Sequence, residues 1–311
     1  MSLIDQTQDL SKILTPTLFS AIVQNRIPWP SDSPLNFAEV GQYTFSPSES
    51  VTSTFNALVF PALKALTLLP LQSIPDLLTF LPPPSSPKFP SQALGLQLLL
   101  DQGPRSFCSG VDERWVVNFF DPLSQNLARQ FYALPLEQRP DTRERWVEEL
   151  KCSEDYWLNT QVFFTAPLVH SERRADHIFI AARLEELRTH LETVSGKADP
   201  WRKEEESEEM RRDLFAFPKM IRLGAPKGEK VTTEEFMFWS WMLMDVHFCI
   251  VERYGRYPYR NKGAGRESRS EEVEWVKQAE GFGEIDEEAG KRIREDEEKG
   301  VWTPFGVWFE G

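Results

Sequence analysis

Cysteine is scarce in this chain of 311 residues: Cys108, Cys152 and Cys249 stand far apart and form no C-x-x-C pair. Their odd number and irregular spacing argue against a disulfide framework or a thiolate metal knuckle, and buried, reduced thiols of a cytoplasmic protein are expected. A surplus of positive charge is also missing, with 35 Lys and Arg against 48 Asp and Glu and a net charge of −13. Nucleic acids and anionic membranes attract a basic face, so neither is an expected partner. No apolar run has the length of a membrane span; the longest, over 55–70, is interrupted by Asn56, Pro61, Lys64 and Thr67. The first residues lack the basic segment and continuous apolar core of a secretion signal. Walker loop, GxGxxG, GxSxG, HExxH, paired ExxH and DDxxD are all missing, so no cofactor and no metal is expected. Strand signals are thin: the alternation at 40–45 is short, and no Asn-Gly turn joins two β-rich runs.

What is present is helical. A hydrophobic fraction of 41%, with 22 Phe and 10 Trp, is enough for a large core. Helical spacing predicts helices over 7–24, 50–66, 74–81, 91–100, 112–133, 142–150, 153–166, 171–194, 200–214 and 232–254. Thr232 with Glu235 reads as a capping box, Ser270 opens a short helix through Gln278, and Gly255 with Pro258 stops the helix before them. The fold class is therefore all-α. LPPPSSPKFP, at 81–90, reads as a stiff connector. Residues 281–300 are highly charged and expected to be mobile or packed along one edge, with Trp302, Phe305, Trp308 and Phe309 as a terminal anchor. The organisation expected is an N-terminal helical extension over 1–90 packed on a core over 91–280, followed by a tail over 281–311.

Three islands carry chemistry. In LLLDQGPR, Gly103-Pro104 is expected to stop an apolar helix after Asp101 and Gln102, leaving Arg105 just beyond its end. In APLVHSE, Pro167 interrupts one helix and Ser171 is placed to cap the next, with Glu172 complementing its dipole and His170 at its mouth. The third, HFCIVERYGRYPYRNKGAGRESRSEE, concentrates Arg253, Arg256, Arg260, Arg266 and Arg269 behind His247, which shares a helix face with Ile250, Val251 and Tyr254. Guanidinium groups bind carboxylates and phosphates bidentately, and burying several requires anionic partners. Those partners are either internal, with Asp101, Glu172 and Glu252 available, or a ligand. Taken singly, each island also has a purely structural reading as a cap or a satisfied core histidine.

In this order the islands resemble the DUF924 family, whose pattern has LDQFPRN, then P-x-x-HSE, then H-x-x-I-I-x-RFGRFPHRN followed by LGR-x-S-T-x-E-E. The resemblance runs from about Leu94 to Gln278. Gly103 and Ser106 replace the aromatic and asparagine of the first motif, Tyr259 replaces a histidine, and Ala264 replaces a leucine. The resemblance implies a TPR-like array of antiparallel helices, expected here as a single domain with the Pro-rich loop and irregular C-terminal tail read above. It singles out Asp101, Arg105, His170, Glu172, His247, Arg256, Arg260, Asn261 and Arg266, and carries no assigned activity.

The function expected is a metal-independent acid–base enzyme acting on a small anionic or polar metabolite. His170 or His247 would move a proton, with Glu172 or Asp101 setting the imidazole. Arg105, Arg256, Arg260, Asn261 and Arg266 would hold the substrate. The alternative is a non-catalytic TPR-like module that recognises an acidic peptide or protein in a groove. A metal held by His170, Glu172, His247 and Asp101 is a third, weaker reading.

Overall fold

The segment LGLQLLL leaves the helix that contains it no polar face, and Leu94, Leu96, Leu98, Leu99 and Leu100 are all completely buried. In the structure, a computed structural model that describes residues 10–202 and 204–307, this helix lies at the centre. In chain order come α1 (Pro16–Arg26), α2 (Phe37–Phe45), α3 (Glu49–Thr67), the central α4 (Phe89–Arg105), α5 (Asp121–Ala133), α6 (Glu154–Val169) and α7 (Arg174–Ser195). They are followed by α8 (Glu204–Arg212), α9 (Ala216–Leu223), α10 (Thr233–Asp245), α11 (Phe248–Tyr254), α12 (Ser270–Gln278) and α13 (Glu287–Lys299). No strand occurs among the described residues, and the chain is all-α.

α4 is surrounded by α1, α3, α5 and α6. α6 is buried from Tyr156 through Val169, and α10 from Phe236 through Met244, so these two also pack on every side, as helices without a polar face must. Residues before 90 and after it share one continuous core: Phe19, Ile22, Val59 and Leu63 bury with Leu94, Leu98, Phe163 and Met242. At roughly 1.5–3 kcal/mol for each large apolar side chain removed from water, this core is the main stabilising term. α1 crosses α4 at Gly95, where a Cβ would come within 2.4 Å of the Phe19 carbonyl oxygen.

Several helix boundaries differ from those expected. α4 continues through Pro104 to Arg105, because a proline in a last turn removes only one hydrogen bond, and the amide of Cys108 returns to the Pro104 carbonyl at 2.9 Å. α6 likewise passes Pro167 and ends at Val169. Ser171 is not the cap of α7, which begins at Arg174; its hydroxyl accepts from the Arg173 amide and donates to Asp176. The helix expected over 232–254 breaks at Val246-His247 into α10 and α11. The one expected over 112–133 passes through a π segment, Val116–Phe120, before α5. Residues 74–81 form only a short 3-10 turn, Leu77–Phe80, and α2 and α9 arise where no helix is expected.

The charged segment after 281 forms α13, capped by Asp286, which buries one edge through Ala289, Gly290 and Ile293. Trp302 and Phe305 then pack on Trp115, with Phe305 also against Phe60 and Phe120. Trp308 and Phe309, expected in the same anchor, lie outside the described residues, as does the start of the helix expected at Thr7. Among the described residues no helix is long and apolar enough to cross a membrane.

Candidate functional site

The last turn of α4 and the end of α6 bring the first two islands together. His170 Nδ1 lies 2.8 Å from Asp101 Oδ1, and Gln102 donates to the second carboxylate oxygen at 2.6 Å. Arg105, one turn after Asp101, reaches back to its carbonyl at 2.8 Å and pairs with Asp121 at the start of α5. Arg260 joins from the third island, donating to Asp121 Oδ2 at 3.1 Å and to the His170 carbonyl at 2.8 Å. Its guanidinium lies 4.6 Å from the centre of the Tyr257 ring, which fixes its plane. Asp101, Arg105, His170 and Arg260 thus lie in one hydrogen-bonded cluster.

His247 faces the same place from between α10 and α11. Its Nδ1 lies 2.8 Å from the Leu243 carbonyl, and its ring packs at 3.8 Å between centroids on Phe217. A carbonyl only accepts, so Nδ1 carries the proton and Nε2 is bare. The Asp101 carboxylate selects the same tautomer in His170. Neither Nε2 has a hydrogen-bond partner among the described residues, and neither is sealed from solvent.

Both histidines, with Arg105 and Phe217, form the wall between two cavities. One, of about 610 Å³, is the more polar of the two and includes Glu113, Tyr259 and Arg260. The other, of about 230 Å³, is lined mainly by apolar groups such as Val162, Phe163, Leu243 and Met244. A separate cleft of about 690 Å³ beside α7 and α8 holds arginines that are already paired, Arg188 and Arg211 both with Asp245.

Electrostatics sets the protonation states. Burial raises the Asp101 carboxyl, but Arg105 and His170 outweigh it and hold the group well below the ordinary carboxylate range. Burial, reinforced by Arg105 and opposed by Asp101, lowers His170 below the usual imidazole value. Burial lowers His247 further, with His170 adding to the effect. Both rings are therefore neutral near pH 7.

The other expected site residues are placed elsewhere. Glu172 makes no hydrogen bond to His170; it takes a bidentate pair from Arg266 at 2.6 and 2.9 Å and the Tyr257 amide at 3.0 Å. Arg256 is held by both oxygens of Glu272, each at 2.7 Å, and Asn261 donates to the same carboxylate at 3.2 Å. Arg253 pairs with Glu271 and Arg269 with Glu272. Burial disfavours the Glu272 anion, yet hydrogen bonds from Arg256 and Arg269 hold its carboxyl well below its ordinary value. These groups brace the loop that carries Arg260 and do not join the cavity around His170. Among the described residues no group of three or more His, Cys, Asp or Glu side chains is arranged to hold a metal.

Sequence reasoning missed three participants. Asp121 is the anion that joins Arg105 to Arg260 across 16 and 139 residues, and nothing in FFDPL marks it. Glu113 lines the polar cavity with no ion pair or hydrogen bond from a described residue; burial pushes its carboxyl up to about 7 against the pull of Arg105 and Arg260. Arg26, from α1, lines the apolar cavity and is an isolated arginine in the sequence. The capacity of the site is proton transfer: two neutral imidazoles present bare nitrogens, and a protonatable carboxyl, Glu113, lines the same cavity as Arg105 and Arg260.

The family model described as "Bacterial protein of unknown function (DUF924)" matches residues 84–280, more than half of the chain. Comparison with curated proteins and with solved structures found no match.

Proposed function

The chain belongs to the DUF924 family, and for this member we propose an acid–base enzyme acting on a small anionic or polar metabolite. The supporting observation is the Asp101–His170 pair at 2.8 Å, with Nε2 of a neutral imidazole open to the cavities. Asp101 fixes the tautomer and stabilises the imidazolium formed when His170 takes a proton. Glu113, which lines the same cavity, returns a proton. Arg105 and Arg260, held in position by Asp121, stabilise negative charge that develops on the substrate. The three free thiols fit a reducing, cytoplasmic setting.

The alternative, an acidic-peptide module, has less support, because Arg256 and Arg266 already have Glu272 and Glu172 as partners. A thermal-shift screen of small metabolites, followed by turnover assays on the stabilising compounds, tests the proposal. His170→Asn is expected to lower turnover by about 10²–10⁴-fold with binding retained. Equal turnover by the variant sinks it.

A further inference from the structure

Arg26 is a cation without an anion. No carboxylate pairs with it among the described residues; Nη2 donates only to the Thr44 carbonyl at 3.3 Å and to Gln102 Oε1 at 3.4 Å. Its Nε is sealed from solvent with no partner, while Nη1 has neither a partner among the described residues nor a seal from solvent. The guanidinium carbon lies 5.8 Å from the centre of the Phe55 ring and 5.7 Å from that of Phe163, so the group is held in place rather than free to swing. Burial lowers its pKa to about 10, which leaves it charged at neutral pH. An arrangement that holds a desolvated cation without a counter-ion is costly unless an anion arrives.

The surroundings say which anion. Arg26 and Gln102 line both the apolar cavity of about 230 Å³ and an outer cleft of about 280 Å³. Of the two guanidiniums lining these spaces, Arg105 is paired with Asp101 and Asp121, whereas Arg26 has no carboxylate partner among the described residues. One uncompensated charge suits a monoanion better than a dianionic phosphate. Between Arg26 and the histidines the wall is hydrocarbon, chiefly Phe163, Val162, Leu243 and Met244. Gln102 also joins the two ends, since its amide nitrogen holds Asp101 while its oxygen receives Arg26.

We propose that Arg26 is the carboxylate-binding residue of the site and that the ligand is a small amphipathic monocarboxylic acid. Its carboxylate sits on Arg26, its apolar body fills the chamber beside Phe163, and its far end reaches Nε2 of His170. The assignment rests on His170 being the reacting base, but the two fail separately. Because Arg26 precedes the family match at residues 84–280, the residues before the match contribute to specificity.

Calorimetric titration of the full chain with hexanoate and its neutral isostere hexanamide tests this. The acid is expected to bind at least about tenfold more tightly than the amide, the contribution of a charge-assisted contact. Arg26→Gln is expected to abolish that preference, and His170→Asn to keep it. Equal affinities for acid and amide in the unaltered chain, no hexanoate binding at millimolar concentration, or an undiminished preference in Arg26→Gln each overturn the assignment. Should Arg26→Gln not fold, the acid–amide comparison on the unaltered chain still decides. A preference that depends on Arg26, together with turnover indifferent to His170→Asn, leaves the carboxylate site standing and removes the acid–base reading instead.

Discussion

Proton abstraction by His170 requires its neutral ring, and burial together with Arg105 favours that form. Turnover should therefore be sustained at pH 7 and fall as pH drops below the ordinary imidazole value of about 6.5. Glu113, with its carboxyl pushed up to about 7, donates only while protonated, so turnover should fall again on the alkaline side. A bell-shaped kcat/KM profile is expected, and Glu113→Gln should lower the rate and remove the alkaline limb; an unchanged limb assigns that ionisation to another group. Stability carries the same signs. His170, His177 and His247 are lowered in the fold, so the unfolded chain takes up protons below about pH 6.5 that the folded chain refuses, and stability drops on acidification. Glu113 acts oppositely, because the folded chain binds its proton first as pH falls from about 7 towards 4.5. Glu113→Gln should therefore steepen the loss of the urea midpoint between pH 7 and 5. Asp101, Arg105 and His170 were legible because two short motifs carry them. Which arginine meets which carboxylate was not, since Arg256 reaches Glu272 only 16 residues away while Arg266 reaches Glu172 across 94.

At the level of elements, the site depends on helix ends rather than helix faces. Asp101 and Arg105 are neighbours one turn apart only because α4 continues past Gly103-Pro104, and His170 meets them because α6 continues past Pro167. Proline read as a stop misplaced both ends by a turn, although the apolar spacing that predicted the helices was sufficient to find them. α1 brings Arg26 to this junction by crossing α4 at Gly95, where backbone packs on backbone. Gly95→Ala should cost about 1–3 kcal/mol, the usual penalty for overpacking, measured as a lower urea midpoint. Because the added methyl lifts α1, hexanoate affinity should fall in parallel even though Gly95 lies outside the cavities. A stable Gly95→Ala protein with unaltered hexanoate binding contradicts that coupling.

Across the whole molecule, the last described segment is tied to the centre by one buried ion pair. Arg114, completely buried, donates to Asp296 at 2.8 Å, and the same carboxylate accepts from the amide and hydroxyl of Thr303. Thr303 in turn receives Arg114 and the Trp115 indole at its carbonyl. Composition alone left residues 281–300 either mobile or packed along one edge, because a buried pair separated by 182 residues leaves no local signal beyond alternating charges. Asp296→Asn removes the anion and leaves Arg114 charged in a dry site, which should destabilise the fold by about 3–5 kcal/mol. The effect reaches the cavity because Phe282, Gly283, Glu284, Ile285 and Asp286, just before α13, form part of its rim. Hydrogen exchange of the variant should accelerate first over residues 282–305, before the central helices α4 and α6 open. If the whole chain instead opens at one rate, the tail is part of the cooperative core.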